Sequence, residues 1–254
     1  MSDLLVMLVT VAVAGFVHSA AGFGSALISM PVLTHLFRIQ TAAPLVALQG
    51  LITSSSVLIR NRRGLDTKGA ARLILSSMLG IPLGGWALEQ VDEGIVTGFL
   101  ALVLIGYAIY SLIIAPRIAV GERATAGPAN SKQSNSRRSM GAWVAGFLSG
   151  VLAGAYNTGG PPLIIYGAIK KWPREQFKSI LQSVFLVNGA LVVVRHAAGG
   201  LITGPVLRYY LYSVPLLLVG VFLGTRVDRL VGPEQFRKLV LVLILLLGVS
   251  LLVL

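Results

Sequence analysis

The sequence predicts an all-α polytopic membrane protein of two inverted-topology repeats. Each repeat is expected to be a broken re-entrant helical hairpin followed by three transmembrane helices. Composition, a duplicated glycine-rich break and the distribution of basic residues carry that reading. Of the 254 residues, 55% are hydrophobic and 12% charged, and the mean hydropathy is +0.83. A soluble domain carries about 25% charged residues, so half that share points to lipid as the solvent. The charges also fall between the long apolar runs. Residues 41–59, 95–115, 206–225 and 239–254 hold at most one charge each, at an edge, and are about long enough to cross a bilayer.

The duplicated break is Gly146-Phe-Leu-Ser-Gly-Val-Leu-Ala-Gly-Ala-Tyr-Asn-Thr-Gly-Gly-Pro-Pro162. Its weaker twin is Gly15-Phe-Val-His-Ser-Ala-Ala-Gly-Phe-Gly-Ser-Ala-Leu-Ile-Ser-Met-Pro31, in which Gly15 and Pro31 both lie 131 residues before their counterparts. A duplication is the economical explanation, since internal repeats are usual in secondary transporters. The expected units are a first repeat over 1–115, a linker over 116–140 and a second repeat over 141–254.

In chain order, Leu4 to Phe16 has no basic leader and is read as mature protein rather than a signal sequence. A short helix over Ser25–Phe37 follows the first break, then a span over Thr41–Ile59, the basic loop Arg60–Lys68 and a span over Ala70–Leu88. Glu89–Glu93 is an acidic turn, Gly94–Ala115 crosses again, and Pro116–Ser139 has the composition of a flexible linker. The second half repeats the plan: Trp143–Tyr156, the break, Pro161–Ile169, a basic connector, then spans near 179–196, 206–225 and 239–254. Gly80–Gly84 aligns with Gly220–Gly224 at an offset of 140.

The basic loops choose between parallel and inverted halves. If each break forms a hairpin that enters and returns, then 60–72, 116–138, 170–178 and 226–238 share one side and hold 18 of the 21 Lys and Arg. If each break crossed once, the split would be 12 to 9. Positive-inside bias selects the hairpins, with the basic loops cytoplasmic and both termini outside. Thirteen residues from Ser25 to Phe37 rise about 20 Å, short of the roughly 30 Å hydrocarbon core. Irregular backbone at that depth must be satisfied by protein or line a water-filled cavity.

The breaks supply the chemistry. Pro161 or Pro162 suits a first helical turn, and a helix start offers unpaired N–H groups and a dipole that favour anions. Asn157, Thr158, Gly159 and Gly160 precede one start; Gly22, Gly24 and Ser25 precede the other. These residues are the candidate anion site, and close packing of small residues is the alternative use of the glycines. Gln49 and Gln182 are candidates to line the path or else to bond one helix to another, with Ser54 and Asn188 weaker ones. His18 beside the first break is the candidate for proton coupling, or else an interhelical bond. His35 and His196 are expected to snorkel, and Arg195 to anchor at an interface. No Asp or Glu lies mid-span, so sodium coupling would rest on backbone carbonyls. The net charge of +12 is read as loop charge rather than nucleic-acid binding. With no cysteine, disulfide and cysteine–metal chemistry is excluded; no metal or cofactor is expected.

Gly-Phe-x-Ser-Gly followed by a glycine-rich break and Pro, in both halves, resembles the TauE/SafE family of sulfite exporters and related permeases. The resemblance extends over essentially the whole chain, including Gly64 and the Gly-x-x-x-Gly elements at 80–84 and 220–224. The first break departs from it, with Ala21-Gly-Phe-Gly-Ser25 where the family tends to a Gly-Gly-Gly-like run. The resemblance implies a bacterial inner-membrane carrier of sulfite, sulfonates or other organic anions, exposed alternately as two repeats rock. A non-transporting assembly or accessory protein is the rival reading. An enzyme is not expected, because neither Ser25 nor Ser149 has a histidine at a diagnostic spacing.

Overall fold

A computed structural model describes residues 2–61, 67–90, 135–170, 172 and 174–227, with scattered positions between 92 and 110 and between 242 and 249. Its helices include α1 (Ser2–Ala21), α2 (Ser25–Leu36), α3 (Ile39–Asn61) and α4 (Thr67–Gln90), then α5 (Asn135–Tyr156), α6 (Gly160–Ile169), α7 (Arg174–Ala198) and α8 (Gly204–Val227). Most of the crossings expected over 94–115 and 239–254, and most of the linker, lie outside the described residues.

Helices α1, α3, α4, α7 and α8 are each long and apolar enough to cross a membrane. The protein is a multi-pass membrane protein. Its outer surface is apolar where a soluble protein's would be charged: Leu5, Val9, Leu79, Trp86, Val219 and Phe222 are all exposed. α2 and α6, at 12 and 10 residues, rise about 18 and 15 Å and fall short of a crossing.

Both breaks begin with the same cap. Gly22, at φ 85°, donates its N–H to His18 O at 2.7 Å; Asn157, at φ 56°, donates to Ala153 O at 2.9 Å. A left-handed residue just past a helix, closing a bond to the fourth residue back, satisfies one of the orphan carbonyls of that helix end. Glycine adopts this conformation freely and asparagine is the next most tolerant. Gly22 therefore corresponds to Asn157, an offset of 135 rather than 131. One extra turn separates glycine stripe from break in the second half, so Pro31 sits inside α2 while Pro162 sits in the first turn of α6.

Packing gathers the helices into two bundles, α1–α2–α3 with α8 and α5–α6–α7 with α4. Each bundle thus takes one helix from the other half of the chain. Every extensive contact within one bundle has its counterpart in the other, and the extensive contact between bundles is α3 on α7. Leu51 touches Gly189 while Asn61 O accepts from Ser179 Oγ, so α3 and α7 run antiparallel. α1 runs parallel to α8, and α4 parallel to α5.

Glycines decide how closely those last two pairs approach. A Cβ on Gly80, Gly84, Gly150 or Gly154 would land on backbone atoms of the facing helix: Phe147 O, Val151 O, Ser77 O and Ile81 O respectively. On the other side Gly220 faces Ala12 O and Gly224 faces Phe16 O. Gly15 meets Leu217 O as Gly146 meets Leu73 O, so α4 and α8 correspond at an offset of 144, one turn from the 140 that the glycine spacing suggested. Lipid offers no hydrophobic drive for helix association, so close packing at small residues carries it.

Candidate functional site

Between the bundles, against the middle of α3 and α7, lies a cavity of about 60 Å³. The breaks reach it from opposite ends. The first is held near the start of α7, where Gln182 Nε2 donates to Gly22 O at 2.6 Å and Lys178 Nζ donates to Ala20 O at 3.3 Å. The second is held near the start of α3, where Asn157 Nδ2 donates to Ala43 O at 2.8 Å. Each break is thus clasped by the long helix of the other half.

Of the residues singled out in the sequence, His18, Gly24, Ser25, Asn157, Thr158, Gly159 and Gly160 line the cavity. Gly22, Gln49 and Gln182 do not. Gln182 stands one layer behind, with its Oε1 2.9 Å from His18 Nε2. Gln49 donates through Nε2 to Ser213 Oγ at 3.0 Å and joins α3 to α8. Gln49→Leu should therefore lower thermal stability by about 1 kcal/mol, the usual net worth of such a bond, and leave anion affinity unchanged. Denaturation with and without ligand separates the two effects.

The structure also brings in residues that the sequence weighed lightly or passed over. Asn188 and Ser54 line the wall, and Ser77 Oγ donates to Asn188 Oδ1. That bond leaves the amide's Nδ2 buried with no partner; Thr158 Oγ1 is likewise buried and unpartnered. A buried donor without an acceptor is costly and rare in native proteins. Phe185 packs edge-on to His18, ring centroids 6.2 Å apart. Lys178, counted with the loop charges, is buried beside the first break. Their spacing was the available signal: 178, 182, 185, 189 and 192 mark one face of a helix. His35 is exposed as expected, but His196 does not snorkel. It is 1% exposed, enclosed where the end of α7 packs into its bundle.

Among the described residues the lining holds no carboxylate. Its polar groups are hydroxyls, amides, an imidazole and the first turns of α2 and α6, whose N–H groups have no acceptor inside their own helices. The two starts are unequal, because Pro161 and Pro162 remove two donors from α6. Ser25, Ala26 and Leu27 keep theirs. A water needs about 10–15 Å³ of such space, so 60 Å³ accepts a ligand of roughly four to six heavy atoms. The site suits a small acceptor-rich species.

Residues 7–251 match the family model described as sulfite exporter TauE/SafE. The chain is also similar to a probable sulfite/organosulfonate exporter TauE from Cupriavidus necator, 24% identical over 238 residues that cover 93% of this chain and 88% of the relative. No solved structure matches. With nearly its whole length matched, the chain belongs to the sulfite exporter TauE/SafE family.

Proposed function

We propose that the protein is a secondary transporter of small oxyanions, sulfite or short sulfonates, in the bacterial inner membrane, with this cavity as its binding site. The observation that carries the proposal is the pair of buried, unpartnered donors, Thr158 Oγ1 and Asn188 Nδ2, on residues of a cavity whose described lining holds no carboxylate. Four to six heavy atoms is the size of sulfite or methanesulfonate. The name of the Cupriavidus necator relative supports the same chemistry.

In this reading the halves are inverted repeats, supported by the antiparallel course of the corresponding helices α3 and α7. The bodies that move are the two mixed bundles, sliding at α3 against α7, because rocking the halves themselves would tear apart the glycine contacts of α1 with α8 and α4 with α5. Each break opens to one face of the membrane in turn.

The test is thermal stability of the purified protein against sulfite, methanesulfonate, sulfate and acetate. A ligand at a hundred times its dissociation constant adds about 2.7 kcal/mol to the native state. Stabilisation by sulfite or methanesulfonate and not by acetate is expected; stabilisation by none of the four would refute the proposal. Topology is tested separately on this cysteine-free chain. Asn130→Cys should react with an impermeant thiol reagent from the cytoplasmic side, and reaction from outside alone would reverse the assigned orientation.

A further inference from the structure

We propose that the anion is taken up together with one proton, which sits on Nδ1 of His18. The inference rests on the transport reading above. Gln182 sets the chemistry. Its Nε2 donates to Gly22 O at 2.6 Å, so the atom 2.9 Å from His18 Nε2 is the amide oxygen. An amide oxygen accepts, and His18 Nε2 must therefore carry a hydrogen. In the neutral ring Nδ1 is then the acceptor. It lies 2.9 Å from Ser25 Oγ and takes that serine's one hydroxyl hydrogen.

Ser25 lines the cavity, yet in this state its hydroxyl turns only lone pairs toward a ligand. An oxyanion meets acceptor against acceptor. A proton delivered to Nδ1 from hydronium in the bathing solution reverses the bond: Nδ1–H now donates to Ser25 Oγ, and the serine O–H is free to donate into the cavity. One proton thus adds a positive charge and a hydroxyl donor at the same wall. No other bond is made or broken, and release of the anion with the proton restores the first state. By linkage, the anion strengthens proton binding by the factor with which the proton strengthens anion binding.

The groups facing His18 make its proton depend on the bound anion. Ser25 approaches from α2; Gln182, Phe185 and Lys178 from α7; and Ser54 stands on the cavity wall from α3. α8 packs on α1 at this level through Val221 and Gly224, while Arg226 and Arg60 are exposed. α1 itself carries no charge after Asp3 other than His18. Among the described residues facing His18, Lys178 carries a charge, and a proton on His18 adds a second cation that the bound anion offsets.

Methanesulfonate is the probe, since its own charge does not change with pH. Calorimetric titration in two buffers of different ionisation heat, from pH 5 to 8, measures protons taken up per anion. The expected result is uptake approaching one, with affinity falling about tenfold per pH unit at the alkaline end, the slope of one linked proton. His18→Gln should bind with flat pH dependence and no uptake. Ser25→Ala should keep the uptake and lose about tenfold or more in low-pH affinity, the worth of one hydrogen bond to a charge. It also carries the test if His18→Gln does not fold. Wild-type binding without proton uptake would overturn the coupling and leave the anion site standing. Failure of both methanesulfonate and sulfite to bind at any pH would overturn the coupling and the transport reading together.

Discussion

Gly150→Val is expected to abolish recovery of folded protein from the membrane. A Cβ at this position would sit on the carbonyl oxygen of Ser77, with Ser77 C and Cα each 2.7 Å away. A flexible side chain could move aside, but backbone inside a helix cannot without losing its own hydrogen bonds. The helices must part, and with them the contacts at Gly80, Gly84 and Gly154 along the same seam. Overpacking a core side chain costs about 1–3 kcal/mol, and this substitution belongs above that range because it opens a whole helix pair. Gly50→Ala is the control. Nothing lies within 4 Å of its would-be Cβ, so alanine there should stabilise α3 by about 0.5–1 kcal/mol. Detergent-solubilised melting profiles of the two variants check both signs. A wild-type melt for Gly150→Val would mean that α4 and α5 do not meet backbone to backbone.

The second large effect is expected in binding alone. Thr158→Val keeps the shape of the side chain and removes a hydroxyl that has no partner inside the protein. A structural hydroxyl, once removed, costs stability; an orphaned one does not. The variant should therefore melt at or above the wild-type temperature while losing about tenfold to a hundredfold in sulfite or methanesulfonate affinity, the range for a hydrogen bond to a charge. Unchanged affinity would remove Thr158 from the site. Asn157 is a poorer probe. Its side chain holds Ala43 O and its backbone is left-handed at φ 56°, so alanine there disturbs the cap of α5 whatever it does to a ligand.

These cases show what the sequence could and could not reveal. Hydropathy located α3, α4, α7 and α8 because lipid forces about twenty apolar residues into each. The breaks were visible because glycine and proline punctuate helices by local sterics alone. Cavity-lining residues next to the breaks, from Ser25 to Gly160, were therefore within reach. What stayed hidden depended on which helix faces which. Gln49 and Gln182 are both mid-helix amides, yet one joins α3 to α8 and the other backs His18. Lys178 reads as loop charge until α1 is placed over it. The glycines of one motif likewise divide: Gly146, Gly150 and Gly154 pack on α4, while Gly159 and Gly160 line the cavity. Spacing does not distinguish those uses, and the partner helix does.

The exchange of α4 and α8 between bundles also fixes an order of events during synthesis. Gly15 and Phe16 of α1 wait for Leu217 and Gly224 of α8, some two hundred residues later in the chain. At about 5–20 residues per second, that interval is roughly 10–40 s. For that time the small-residue face of α1 must lie against lipid or an insertion factor. The first bundle cannot close until α8 has been made. A nascent chain arrested before α8 has the first break and cavity wall in sequence, but no partner that holds α1 in place.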